Sequence, residues 1–205
     1  MITLAMDTAY RHLTAGLYDD DTLLAGTSSE CFKKQSEALF PRLQQILDDA
    51  GLSFQDIDQV VITDGPGSYT GVRIAMTVAK VLASQRGIPL YTLSTLQLYA
   101  GTASSANVLL DARSHRAYAG HVENGVLTEP EQILTEEEYE GFVGSHPGIL
   151  LGDVAVGSRN PETPDFLKNF IDLRDQWVPV SNVHAAVPRY LKESDAYKTP
   201  GGHGC

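Results

Sequence analysis

The sequence predicts an α/β fold made of two related lobes, and two observations carry that expectation. The first is a short apolar strand, Val60-Val61-Ile62-Thr63, that passes through Asp64-Gly65-Pro66-Gly67-Ser68 straight into a long helical pattern. The second is an internal repeat. Shifted by 104 residues and without a gap, Leu4-Ala5-Met6-Asp7 falls on Val108-Leu109-Leu110-Asp111, Ala15-Gly16 on Ala119-Gly120, Asp20-Asp21 on Asn124-Gly125, and Leu23 on Leu127. Each half therefore reads strand, Asp-containing turn, hairpin, helix, with a crevice between the halves and Asp7 and Asp111 at corresponding strand ends. The expected division is residues 1–103 for a first lobe carrying the glycine turn, 104–195 for a smaller second lobe with a C-terminal return, and 196–205 for a tail without periodicity.

Along the first half, residues 2–6 read as a strand, and residues 13–18 and 22–28 as a hairpin about Asp19-Asp20-Asp21. Leu39, Leu43, Ile46, Leu47 and Ala50 recur on one helical face, with Ser36 as cap, Gly51 as stop and Pro41 predicting a kink or a late start. The helix over residues 69–85 carries two apolar stripes, Val72/Ala75/Ala79/Leu82 and Ile74/Val78/Val81, separated by a narrow polar seam at Arg73, Thr77, Lys80 and Ser84. A helix on one face of a sheet needs a single stripe. Two stripes mean either burial inside the subunit or sharing with a second one. Gly87 and Pro89 close this helix, a strand follows at residues 90–93, and Ser94 with Gln97 resembles a capping box for a helix to about Ala103. In the second half, Thr135 with Glu138 caps a helix at 136–143. A strand near 148–151, a helix near 164–170 and a short strand at 171–173 complete the pattern.

A net charge of −11 with no basic stripe argues against unaided binding to RNA or DNA, because phosphate contacts dominate that affinity. The two cysteines, Cys31 and Cys205, have no framework spacing. The start of the chain lacks a basic n-region, and no apolar run reaches membrane-spanning length, so a cytoplasmic protein is expected.

The glycine turn ending at a helix N-terminus makes Asp7, Thr8, Gly65, Gly67 and Ser68 candidates for an anion site. Both common phosphate fingerprints miss. Thr70 stands where a Walker loop needs its Gly-Lys, and Gly71 is one residue late for the dinucleotide pattern. The alternative is a turn that merely starts a helix. Asp7, Asp64 and Asp111 are candidates to gather at strand ends and hold magnesium, against ordinary roles as strand-end or cap residues. The histidines (His12, His115, His121, His146, His184 and His203) include no i, i+4 pair, and Gly-x-Ser-x-Gly is absent, so neither a zinc pair nor a hydrolase elbow can be read.

Asp7-Thr8, Gln35-Ser36-Glu37 with Leu39 and Pro41, the run from Gly65 to Arg73, Asp111-Ala112-Arg113 and Pro188-Arg189-Tyr190-Leu191 together resemble the TsaB family, also called YeaZ. The resemblance covers nearly the whole chain, and Gly-Pro-Gly-Ser-aromatic-Thr-Gly-aliphatic-Arg is its most specific part. It implies duplicated ribonuclease-H-like lobes of the actin/sugar-kinase/Hsp70 (ASKHA) class. It further implies a noncatalytic subunit in the synthesis of threonylcarbamoyladenosine, next to the anticodon of tRNAs reading codons that begin with A. The transfer chemistry and the metal belong in that family to TsaD, a small ATPase, TsaE, joins the assembly, and tRNA is held through the complex. No intrinsic cofactor is implied, although a nucleotide at the partner interface is compatible with it. Gln35, Ala9 and Tyr69 stand where the family commonly has histidine, serine and phenylalanine. The first two changes weaken the case for phosphate at those positions.

On this reading the two-striped helix and its neighbour at residues 36–50 form the pairing surface for TsaD, and for a homodimer in its absence. Leu39, Leu43, Ile46, Val72, Met76, Ala79 and Lys80 are the expected interface residues. The alternative is a stand-alone ATP-dependent phosphotransferase or hydrolase working in the crevice with Asp7 and Asp111.

Overall fold

The computed structural model describes residues 1–31 and 34–191. The tail expected at 196–205, with Cys205 and His203, lies outside them. The first sheet contains β1 (Ile2–Asp7), β2 (His12–Asp19), β3 (Thr22–Glu30), β4 (Gln59–Thr63) and β5 (Leu90–Leu93), and is flanked by α1 (Gln35–Ala50) and α2 (Tyr69–Arg86). After α3 (Thr95–Ala100) the second sheet is built from β6 (Ala106–Arg113), β7 (Arg116–Glu123), β8 (Val126–Leu127), β9 (Gln132–Thr135) and, beyond α4 (Tyr139–Ser145), β10 (Ile149–Gly152). The chain then forms α5 (Phe166–Asp172) and returns as β11 (Val178–Pro179) to the free edge of β5, so the first sheet has the order β11-β5-β4-β1-β2-β3.

The repeat is realised in three dimensions. β2 and β7 are offset by 104 residues at both ends. In each lobe the first strand runs antiparallel to the second and parallel to the strand that returns after a helix: β1 to β2 and β4, β6 to β7 and β10. The turns correspond atom for atom, Asp7 Oδ1 accepting from the Ala9 N–H at 2.9 Å and Asp111 Oδ1 from the Arg113 N–H at 2.8 Å. This is the ribonuclease-H-like arrangement, present twice.

Strand alternation divides the core. Leu4, Met6, Val60 and Ile62 face α1 and α2, while Ala5 and Val61 face the other way and share a cluster with Val108, Leu110, Phe166 and Phe170. The first sheet is thus covered on both faces, and the second cluster fuses the lobes. α2 turns Val72, Ala75, Met76, Ala79 and Ala83 onto its own sheet. Its other stripe lies outward: Ile74 and Val78 are half-buried beside α1, and Val81 is exposed.

Several local expectations are met. Ser68 accepts from the Gly71 N–H at 3.2 Å, Gly51 and Gly87 close α1 and α2 in left-handed conformations, and Glu138 accepts from the Thr135 N–H at 2.7 Å. Others need correction. α1 begins at Gln35 after Lys34 and runs through Pro41, and Ser36 does not cap it. Gln97 does not reach back to Ser94 but donates to the Gly125 carbonyl at 2.8 Å, linking α3 to the second lobe. No strand forms at 171–173, because α5 continues to Asp172, and the returning strand is β11. The short β9 was not expected.

The hairpin between β6 and β7 carries strain: Arg113, Ser114 and His115 have φ of 67°, 53° and 58°. Residues with a Cβ adopt this region at a cost of about 1 kcal/mol or more each. His115→Gly is therefore expected to raise the thermal midpoint by about 2–4 °C, as measured by calorimetry. A lower midpoint would show that the exposed His115–Glu136 contact outweighs the strain.

Candidate functional site

Because β1, β4 and β5 are parallel, their carboxyl ends bring Asp7, Asp64 and Ser94 to one side of the sheet, where α2 begins and the second lobe faces. A cavity of about 540 Å³ opens there, lined among others by Tyr10, Arg11, Gln35, Ser68, Asp111 and Arg113.

The anion-site candidates are mostly committed elsewhere. Thr8 is fully buried; its hydroxyl donates to the Gly71 carbonyl at 2.7 Å and accepts from the Ala75 N–H at 3.1 Å, so it is inserted into the hydrogen-bond ladder of α2. Gly67 and Gly71 have a packing reason to be glycine, since a Cβ on either would lie less than 3.0 Å from a backbone oxygen, of Ala9 or Thr8 respectively. Gly65 has φ of 112° and abuts the Arg189 carbonyl. The Ser68 N–H donates to the Ala9 carbonyl at 2.7 Å. The glycine-rich run is thus shaped by the Asp7-Thr8-Ala9 turn it presses against, and no phosphate is needed to explain it. The structure does not bring Asp7, Asp64 and Asp111 together as a metal cage either. Among the described residues, no group of three His, Cys, Asp or Glu side chains is placed to hold a metal ion.

Asp7 is wholly enclosed. Oδ1 takes the Ala9 N–H and the Thr63 hydroxyl, Oδ2 has no partner, and burial pushes its carboxyl up to about 6. Asp64 is raised to about 6 for the same reason, against the opposing pull of Arg189. Arg189 lies 3.3 Å from Asp64 and 3.1 Å from Glu131, so the segment that follows β11 ties the glycine turn to the second lobe.

Across the crevice Asp153 is a hub. The Tyr10 hydroxyl donates to its Oδ2 at 2.7 Å, Arg11 Nε meets the same oxygen at 2.8 Å, and the Asp111 N–H donates to Oδ1 at 2.9 Å. Burial and this carboxylate raise the Tyr10 hydroxyl well above its ordinary value, which keeps it a donor. Gln35, noted as a departure from the family pattern, donates to the Tyr10 carbonyl at 2.8 Å and anchors the start of α1 to the crevice.

The expected interface residues are corrected by burial. Leu39, Leu43, Ile46, Val72, Met76 and Ala79 all belong to the core beneath α1 and α2, with Val72 only 1% and Met76 4% exposed. Lys80 donates to the His184 and Ala186 carbonyls, both at 2.9 Å, and holds the C-terminal segment on α2. The uncovered surface of the same two helices is their outer side. A groove of about 440 Å³ runs there between Phe40, Tyr69, Arg73, Ile74, Thr77 and Val78, with Phe40 and Tyr69 each 60% exposed. The signal that separates the two sides was present in the sequence: Gly71, Ala75, Ala79 and Ala83, small residues at every fourth position, mark the side that approaches the sheet closely.

A duplicated ribonuclease-H-like fold whose lobes share a core and are stapled across the crevice defines a member of the actin/sugar-kinase/Hsp70 class. A family model described as TsaD, tRNA N6-adenosine threonylcarbamoyltransferase, matches residues 29–140. The tRNA threonylcarbamoyladenosine biosynthesis protein TsaB of Bacillus subtilis is 30% identical, over 96% of this chain and 96% of that protein. The Escherichia coli protein of the same name is 33% identical, over 82% of this chain and 76% of its own. The structure of YeaZ from Pseudomonas aeruginosa superposes with a TM-score of 0.69 at 25% identity, covering 93% of this chain and 99% of that one. The chain belongs to the TsaB family, also called YeaZ.

Proposed function

We propose that this chain is a noncatalytic subunit of the machinery that makes threonylcarbamoyladenosine in tRNA, and that it pairs with TsaD through the outer groove of α1 and α2. The observation that carries the reading is the groove itself: the exposed rings of Phe40 and Tyr69 and the half-buried Ile74 and Val78 give it a mostly apolar wall between two helices, whereas the crevice residues are tied to one another. Packing both helices against a partner buries on the order of 800 Å² per side. The names of the relatives and of the family model support the pathway.

In this reading TsaD performs the transfer to the adenosine beside the anticodon of tRNAs reading codons that start with A, and TsaE joins as ATPase. The tRNA touches this acidic chain only through the complex, and a nucleotide is accommodated at the seam with TsaD. Without TsaD the same groove supports a homodimer, since a two-fold interface reuses one patch. Among the described residues no helix is long and apolar enough to cross a membrane.

Phe40→Asp, in the groove, and Val81→Asp, on the same outer stripe of α2, are the diagnostic variants, because both residues are exposed. Each is expected to abolish co-purification with TsaD and dimerisation by light scattering, with a thermal midpoint within about 2 °C of the parent. Normal pairing by both would overturn the assignment. Asp at Val72 or Met76 does not serve, since either would bury a charge in the chain's own core and unfold it.

The second reading, a crevice enzyme using ATP, has in its favour the cavity with Arg11 and Arg113 on its wall beside the N-terminus of α2. Against it stand the enclosure of Asp7 and the staple at Asp153. Calorimetry of the isolated chain with ATP and magnesium separates the two: tight binding with turnover selects the enzyme.

A further inference from the structure

The C-terminal segment, residues 183–190, lies along α2 in the opposite direction. Lys80 grips the His184 and Ala186 carbonyls near the end of the helix, and Tyr190 reaches its start, where its ring stacks on Tyr69 with centroids 5.4 Å apart. The Tyr190 hydroxyl accepts from Arg73 Nε at 2.8 Å, and the Arg73 guanidinium lies 4.1 Å from the centre of the Tyr69 ring. Tyr69 and Arg73 line the apolar groove, so this strap is continuous with it, and Tyr190 and Val187 are themselves exposed. The position of Tyr190 is set one residue earlier. The Arg189 N–H donates to the Asp64 carbonyl at 2.6 Å, and its guanidinium meets Asp64 and Glu131.

Arg73 is a cation at the rim of an apolar channel in a chain of net charge −11. The side chains meeting its guanidinium are tyrosines, and no carboxylate is among its partners in the described residues. An exposed guanidinium stacked on one ring and hydrogen-bonded to another is held in place with donors still free for a bidentate acceptor.

We propose that the strap is part of the docking surface itself, with Arg189 positioning Tyr190, and that the partner presents an apolar helix face bearing a carboxylate opposite Arg73. This rests on the docking reading above and specifies which chemistry the groove accepts. The apolar anchors supply area, and the Arg73–carboxylate contact fixes register along the groove.

The experiment is a calorimetric titration of the full chain with purified TsaD of the same organism, at low and at high salt. Arg73→Gln is expected to weaken binding at least tenfold and to remove most of its salt dependence, which a purely structural role would leave in place. Tyr190→Ala is expected to weaken it at least fivefold, and Tyr190→Phe, which keeps the ring, less than threefold. Arg189→Ala is expected to match Tyr190→Ala, with partial rescue by Arg189→Lys. If Phe40→Asp abolishes binding while Arg73→Gln and Tyr190→Ala stay within twofold of the parent, the strap proposal is wrong and the groove assignment stands. If Phe40→Asp binds normally, the groove assignment falls and takes this inference with it.

Discussion

Replacing Gly71 with alanine is expected to lower the thermal midpoint of unfolding by roughly 5–10 °C, although the site is helical and alanine is the better helix former by about 1 kcal/mol. The new Cβ would lie less than 3.0 Å from the Thr8 carbonyl oxygen, a backbone atom in the buried turn that follows β1. Neither side can yield cheaply. Thr8 is bonded through its hydroxyl to both Gly71 and Ala75, and α2 is pressed onto the sheet by Val72, Ala75 and Ala79. Separating them costs the contact between strand and helix, about 3 kcal/mol or more before the helix-propensity gain is subtracted. Gly141→Ala and Gly144→Ala are the controls, since both lie in α4 and a Cβ on either meets nothing within 4 Å. These should be neutral or stabilising by up to about 1 kcal/mol. A Gly71→Ala protein as stable as the controls would mean that the conspicuous glycine is kept for a ligand and not for packing.

Asp7→Asn is expected to change how stability depends on pH. The Asp7 carboxyl has an ordinary value of 3.8 and a value of about 6 in the fold, raised by burial. Between those limits the unfolded chain has released a proton that the folded chain retains. The contribution to stability is therefore complete below 3.8, is lost as pH rises through the window, and stays lost above 6. The gap between the two values corresponds to about 3 kcal/mol over the whole window. Asparagine keeps the oxygen that accepts from Ala9 and Thr63 but cannot ionise. Its stability relative to the parent should accordingly be greater by about 2 kcal/mol at neutral pH than at pH near 4, measured by urea unfolding at each pH. Asp64 is raised in the same direction, but it is present in both proteins and cancels in the difference. A difference that stays constant with pH would show Asp7 to be accessible to solvent or paired with a cation, which is the condition the crevice-enzyme reading needs.

Much of this architecture was legible in the residue order because the forces that set it act locally or repeat. Gly51 and Gly87 stop helices by adopting left-handed backbone, Ser68 caps α2 through its own hydroxyl, and Glu138 closes on Thr135 three residues away. The 104-residue offset survives in the strands because a duplicated unit keeps the alternation that buries one set of side chains on each face. The family, too, was legible, since its most specific signature is one contiguous run, Gly65 to Arg73.

The two apolar stripes of α2 do not by themselves say which one meets the sheet; the small residues Gly71, Ala75, Ala79 and Ala83 mark that side, and the tertiary structure shows what they approach. The sheet took Val72, Met76 and Ala79, leaving Tyr69 and Val81 of α2 and Phe40 of α1 outside. Distance along the chain hid the rest. Thr8 enters α2 from 63 residues away, Tyr10 meets Asp153 across 143, and Arg189 meets Asp64 across 125. Side chains so far apart in sequence meet only because the folded sheets hold them there, and no periodicity or turn rule encodes such pairings.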